Sequence, residues 1–240
     1  MQVRVAHTFE QLGSSAMPWD IFMLVLRLFW RRMGLLLAAN LLWLGLSLLV
    51  VTWPAATAGL FYLARRLAEE ELTADPRPAV IGDFWAGFRL YWRRSSVLTI
   101  GDLLCLVAIV VALRFYGASA VAPLSWLVGP IMLIGLAWAG AQLYLYPLLI
   151  QRAERQPWLI AREAFLIAIS YPLNTLGLLL TVLVLSIGAT VLAGPILLVF
   201  FSFMAVLQTM ALRYILAQRG EVSLLLTPEQ REARAHSRKP

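Results

Sequence analysis

The sequence predicts an all-α fold: a polytopic membrane helix bundle of six transmembrane helices, the first two a short hairpin broken at Pro54, with interfacial amphipathic helices beside it. Three observations predict it. Apolar residues make up 61% of the 240-residue chain and charged residues 14%, where a soluble domain is nearer half apolar and a quarter charged. The apolar residues gather in runs at 97–113, 121–150, 173–192 and 195–212, at or near the ~20 residues a bilayer crossing needs. Nineteen of the twenty basic residues fall in four segments: the N-terminus (Arg4, Arg27, Arg31, Arg32), 65–94, 152–162, and 213 to the C-terminus. Only Arg114 lies elsewhere. Basic residues collect on the cytoplasmic side of membrane proteins, so both termini are expected there. The net charge of +7 is then read as attraction to anionic lipid headgroups, about 1 kcal/mol per arginine, and not as nucleic-acid binding.

The elements follow in order. Residues 1–32 form a cytoplasmic segment, with a helix from Pro18 to Arg32 whose aromatic residues (Trp19, Phe22, Phe29, Trp30) and basic end place it at the interface. Residues 33–217 form the membrane domain. The stretch 35–64 has no charge; as one span it would put Arg31/Arg32 and Arg65/Arg66 on opposite sides. A hairpin resolves the conflict, with legs at 33–51 and 54–67 and a turn at Thr52-Trp53-Pro54. Pro suits a helix's first turn. Both legs are short, about 22–28 Å at 1.5 Å per residue, and local thinning or snorkelling arginines make up the deficit.

The run Glu69-Glu70-Glu71 reads as a solvated helix end, and Asp75-Pro76-Arg77-Pro78 as a turn. From 83 to 94, apolar residues recur at Phe84, Trp85, Phe88, Tyr91 and Trp92, one helical face. This predicts an interfacial helix leading into the third span at 97–113, its aromatic face lying on lipid headgroups or docked on a partner. Arg114 snorkels at that span's outer end. The fourth span lies within 121–150, where Gly135 and Ala139 suit close helix packing. Gln156-Pro157 starts a short helix reaching Ile169. The last two spans, 173–192 and 195–217, join at Ala193-Gly194-Pro195, and Gly220 ends the last. Residues 218–240 form a basic cytoplasmic tail, where Thr227-Pro228-Glu229-Gln230 fits a capping box.

The segment Asn40-Leu41-Leu42-Trp43, followed by Val50-Val51-Thr52-Trp53-Pro54-Ala55-Ala56-Thr57-Ala58-Gly59-Leu60-Phe61-Tyr62, resembles the YesL-like family of bacterial integral membrane proteins, a domain-of-unknown-function family. Phe84-Trp85-Ala86-Gly87-Phe88-Arg89 resembles that family's helix before the next span. Tyr144-Leu145-Tyr146-Pro147, with the amphipathic stretch 161–169, adds a third match. The chain departs from the pattern at Leu48-Leu49, where the family often has Leu-Pro, and at Trp53-Pro54, where it often has Gly. The resemblance marks Asn40, Trp43, Thr52, Thr57, Tyr62, Phe84 and Phe88 as motif residues. It implies a multi-pass protein of the bacterial inner membrane and, through members associated with carbohydrate uptake, a link to such a system.

Catalytic chemistry finds little to work with. The two histidines, His7 and His236, lie in opposite tails, and there is one cysteine, Cys105, so no zinc-ligand spacing exists. The sole lysine, Lys239, excludes a Walker A motif. One cysteine allows no disulfide within the chain, and residues 21–26 are too short an apolar run for a signal peptide. No enzyme activity, cofactor or metal is expected.

Polar residues within spans remain, because they are costly in lipid and often functional. Asp102 lies about 12 Å past Arg94 along a helix. It reads either as a proton or cation site facing the bundle or as an acid paired with Arg93 or Arg94 near the interface. Asn40, Gln142 and Gln208 lie deeper and read as interhelical hydrogen bonds or as a polar ligand pocket. Gln142 and Tyr146 share a helix face. Thr52 and Thr57 bracket the Pro54 break. The expected function is an accessory or interaction component of the membrane, with a transporter subunit as partner. The alternative is a small-molecule or proton-coupled transporter using Asp102, Asn40 and Gln142. Oligomeric state is left open.

Overall fold

The computed structural model of the chain describes residues 18–73, 77–118, 122–191 and 197–221. All the regular structure among them is helical. The helices are α1 (Pro18–Arg31), α2 (Met33–Ser47), α3 (Trp53–Thr73), α4 (Ile81–Gly117), α5 (Ala122–Ser125), α6 (Val128–Gln151), α7 (Pro157–Ser170), α8 (Pro172–Val191) and α9 (Leu197–Gln218). The expected capping box at 227–230 and the joint at 193–195 lie outside the described residues.

Four helical segments are long and apolar enough to cross a membrane: Ile81–Gly117, Val128–Gln151, Pro172–Ala189 and Val199–Gln218. Large apolar side chains stand exposed along them, among them Leu104 at 65% and Leu133 at 68%. Such a surface is unfavourable in water and is what a lipid-facing wall presents. The protein is membrane-embedded. The hairpin expected before these helices is present, but its halves differ. α2 is apolar and has 15 residues, about 22 Å. α3 runs 21 residues, past the expected end at 67, and its second half carries Arg65, Arg66 and Glu69–Glu71. The chain turns at 48–52, and Pro54 sits inside the first turn of α3, where its missing N–H costs nothing. Thr52 closes the turn: its hydroxyl donates to the carbonyl of Leu49 at 2.9 Å and also to that of Leu46.

α3 is the central helix. Ala55, Ala56, Ala58, Leu60, Leu63, Ala64, Leu67 and Ala68 are all buried, and it packs against α2, α4, α6 and α9. Its tightest neighbour is α4. A Cβ on Gly59 would stand 2.7 Å from the carbonyl oxygen of Phe84. One on Gly87 would stand 2.4 Å from Cβ of Tyr62 and 3.1 Å from Cα of Gly59. The two backbones meet there because neither glycine has a side chain.

Two expected elements are one. The interfacial helix and the third span merge into α4, 37 residues long. The chain between them, Arg93-Arg94-Ser95-Ser96, holds no helix breaker, and both serines bond back to the Trp92 carbonyl at 3.1 and 2.8 Å. The start of α4 is set by Asp83, whose carboxylate accepts the Val80 N–H at 2.9 Å, half of a capping box. The aromatic face is divided: Phe84 and Tyr91 are buried against α3, while Trp85 and Trp92 are exposed. Thus most of that face is occupied by the protein itself, and only its edge is free for headgroups or a partner. Close packing on α6 falls at Gly140, whose Cβ would lie 2.7 Å from Thr175 Cγ2, and not at Gly135, where the nearest atom is 3.5 Å away. α1 packs against α9 through Phe22 and Phe29 on Phe203. α9 ends as expected, with Gly220 at φ 71° and Glu221 N–H on the Leu216 carbonyl at 3.0 Å, a Schellman-type stop.

The acidic run at 69–71 is no solvated end. Glu71 pairs with Arg31 at 3.0 Å. Glu70 pairs with Arg32 and accepts the Ala79 N–H at 2.9 Å. Glu69 meets Arg65 at 2.8 Å, Arg66 at 3.1 Å and Arg213 at 3.2 Å. Three consecutive carboxylates thereby tie α1, the α1–α2 joint, the α3–α4 connection and α9 to α3. Arg65 also donates to the Ile150 carbonyl at 2.7 Å, holding the C-terminal end of α6.

Two predictions follow from these joints. Gly87→Ala should cost about 1–3 kcal/mol by overpacking, read as a lower thermal midpoint in detergent. Gly45→Ala, with nothing within 4 Å, should cost nothing. Arg213 is buried, with side-chain exposure of 8%, while Arg31 is 61% exposed. Glu69→Gln should therefore cost about 3 kcal/mol, since it strips a buried cation of its counter-charge. Glu71→Gln should cost less than about 1 kcal/mol. Equal losses for the two in chemical denaturation would refute the hub.

Candidate functional site

Where α4 and α6 run side by side, polar groups recur at helical spacing. Trp138, Gln142 and Tyr146 are each four residues apart on α6 and so share one face. Across from them on α4 stand Asp102 and Thr99, three residues apart. Asp102 Oδ1 accepts the indole N–H of Trp138 at 3.0 Å and an amide N–H of Gln142 at 2.6 Å. The hydroxyls of Tyr146 and Thr99 are 2.7 Å apart, and the Tyr146 ring stacks on Phe61 of α3, with centroids 5.5 Å apart. The result is a polar seam inside an apolar pair of helices. Each half-buried pair relieves the cost of a lone polar group in apolar surroundings.

Asp102 is thus held by neutral donors from α6, not by Arg93 or Arg94, which are exposed. It stands on the wall of a cavity of about 460 Å³ between α4, α6 and α7. α7 reaches the cavity because Gln156 is extended and Pro157 opens the helix. Val97, Leu145, Trp158 and Phe165 make the wall largely apolar, and Cys105 lies on it. Gln142 and Arg162 are its other polar members. Neither Arg162 nor Trp158 stood out as a candidate in the sequence; their cue is the Pro157 start, which puts 158, 161, 162 and 165 on one face of α7.

The remaining candidates are elsewhere. Asn40 is fully buried between α2 and α9, where its Oδ1 accepts the Ser202 N–H at 3.2 Å. Gln208 is half-buried on α9 and lines no part of the cavity. Tyr146 belongs to the seam but not to the cavity wall. The motif residues are joints. Trp43 donates its indole N–H to Thr57 Oγ1 at 3.1 Å, and Thr57 donates to the Trp53 carbonyl at 2.9 Å. Tyr62 packs on Gly87, Phe84 is buried beside Gly59, and half-buried Phe88 stands at the same α3–α4 crossing, its backbone nitrogen 3.3 Å from a Cβ on Gly59. Together they fasten α2 to α3 and α3 to α4. Among the described residues, no group of three His, Cys, Asp or Glu is placed to hold a metal ion.

Residues 36–113 match a family described as "Protein of unknown function, DUF624". This is about a third of the chain, and it coincides with the α2–α3–α4 unit that holds the motif joints. No curated protein and no solved structure matches the chain.

A double-mutant cycle tests the seam. Tyr146→Phe and Thr99→Val should show a coupling of about 0.6–1.7 kcal/mol, the range for interhelical hydrogen bonds in membranes. Additive effects on unfolding in detergent would mean that the two hydroxyls do not support one another.

Proposed function

We propose that this chain is a non-enzymatic accessory protein of a bacterial inner membrane, docking to another membrane protein at the cytoplasmic boundary. The overhang of α4 carries the reading. At 37 residues the helix is about 55 Å long, more than the ~40–45 Å of a bilayer with its headgroups. Between Ile81 and Arg94 it exposes Trp85, Arg89, Trp92 and Arg93, while Phe84 and Tyr91 are buried on α3. Tryptophan and arginine dominate the binding energy of protein interfaces, and anionic headgroups beside the strip favour the same basic residues.

Six crossings with both termini cytoplasmic complete the reading. The arginine distribution supports them, with α2 and the apolar half of α3 as the first two crossings. The proposed partner is a subunit of a carbohydrate-uptake transporter; its support is the resemblance of the 40–62 and 84–89 segments to YesL-like proteins. The Asp102 cavity favours a second reading, a small-molecule carrier. Against it, Asn40 is sealed by Ser202 and Gln208 lies apart, so the intramembrane polar residues do not share one route.

A photo-crosslinking amino acid at position 92 or 93 tests the docking. In native membranes it should trap one membrane protein in near-stoichiometric yield, whereas the same probe at exposed position 41 should not. Adducts with lipid alone would end the accessory reading. The topology has its own test. Single cysteines at 50 and 155, in a Cys105→Ser background, should be labelled from opposite faces of the membrane; labelling from one face would remove the hairpin crossing.

A further inference from the structure

Two residues of opposite charge line the α4–α6–α7 cavity, Asp102 half-buried in its wall and Arg162 exposed at its rim, and neither has a counter-charge among the described residues. Both donors to Asp102 are neutral and both fall on Oδ1; Oδ2 has no partner among the described residues. Arg162 lies on the α7 wall and makes no ion pair, with Asp102 or with any other described carboxylate. Its neighbour Glu163 is taken by Arg155 at 2.8 Å and Arg152 at 3.4 Å. An ionised carboxylate in an apolar setting is costly unless a cation or further donors reach it. Arg162 lines the same cavity but makes no ion pair with Asp102.

We propose that this cavity binds a small zwitterion with an apolar body, of the amino-acid type. The ligand's primary ammonium donates to Asp102 Oδ2, and its carboxylate accepts from the Arg162 guanidinium. Its apolar part lies against Trp138, Leu145 and Phe165. The ligand supplies both missing counter-charges at once, and the apolar wall around half-buried Asp102 strengthens the pairing there. The volume of about 460 Å³ is that of a small-molecule site. Gln142 and Trp138 act as positioning residues: by saturating Oδ1 they leave Oδ2 turned to the ligand. The proposal does not depend on the accessory reading, since crosslinking at 92 or 93 reports on a different surface.

Cys105 offers a direct readout, being the only cysteine of the chain, exposed and on the cavity wall. The full-length protein in detergent is labelled with a water-soluble maleimide in the presence of L-phenylalanine, phenethylamine or 3-phenylpropionate. These share a phenyl body and carry both charges, the ammonium alone or the carboxylate alone. At about four times its dissociation constant L-phenylalanine should slow labelling about fivefold by mass action, and the single-charge compounds should do markedly less at equal concentration. Asp102→Asn keeps an acceptor for Trp138 and Gln142, so the seam survives; it should abolish the protection, as should Arg162→Gln. An unchanged thermal midpoint in both variants separates lost binding from lost fold. Equal protection by all three compounds would reduce the cavity to an apolar void and overturn the proposal. So would protection that persists in Asp102→Asn, protection by short-chain phosphatidylethanolamine but not L-phenylalanine, or no protection by any compound.

Discussion

The close approach of α3 and α4 at Gly59 and Gly87 is the constraint on which the rest of this structure depends. Two helices rarely come within touching distance of backbone on backbone, and they do so only where both lack side chains. Here the contact fixes the crossing of the central helix with the longest one. From it follow the burial of Phe84 and Tyr91 on one side of α4 and the exposure of Trp85 and Trp92 on the other. It also sets where Thr99 and Asp102 stand, since both lie on the same uninterrupted helix. The α4–α6 seam can form only because that helix leaves the crossing toward α6.

Charge performs the complementary task at the basic end of α3. In a bilayer the hydrophobic effect does little to choose one helix neighbour over another, because lipid is as apolar as leucine. Specific polar joints then carry the information. Glu69, Glu70 and Glu71 reach in three directions, to Arg213, Arg32 and Arg31. Arg65 reaches the Ile150 carbonyl at the end of α6. The buried Arg213 owes its tolerable position to Glu69, and its Nε has no hydrogen-bond partner among the described residues. Such a joint is more a device of specificity than of net stability, since ion-pair formation roughly balances desolvation.

Much of the architecture was legible in the residues. Long apolar runs located four apolar helices, and the opposed arginine pairs at 31–32 and 65–66 required a turn between them. Pro157 and Gly220 marked helix ends through backbone chemistry that is local, so they could be placed within a residue or so. The failures share a physical cause. The acidic run at 69–71 reads as solvated because sequence shows a carboxylate's neighbours along the chain, while its partners lie up to 144 residues away. The aromatic face at 84–92 reads as free for the same reason: Tyr62 and Gly59 cover it from another helix. Continuity across 94–96 was missed because a change from charged to apolar composition looks like a boundary, although no residue there breaks a helix. At the site, Asp102 stood out as an acid inside an apolar run, and Gln142 as its amide counterpart. Arg162 did not, because an arginine in a basic segment carries no sign of facing a cavity.

The unbroken course of α4 also makes it a lever. Its fulcrum is the Gly59–Gly87 crossing, where neither backbone can retreat. One arm carries Trp85. The other carries Asp102, fifteen residues beyond Gly87 and so about 22 Å away at 1.5 Å per residue. Long helices curve gently but kink sharply only at identifiable breaks, and α4 runs without interruption from Ile81 to Gly117. A tilt of the whole helix about that crossing would move Asp102 relative to Trp138 and Gln142, so the cavity and the exposed strip share one structural element.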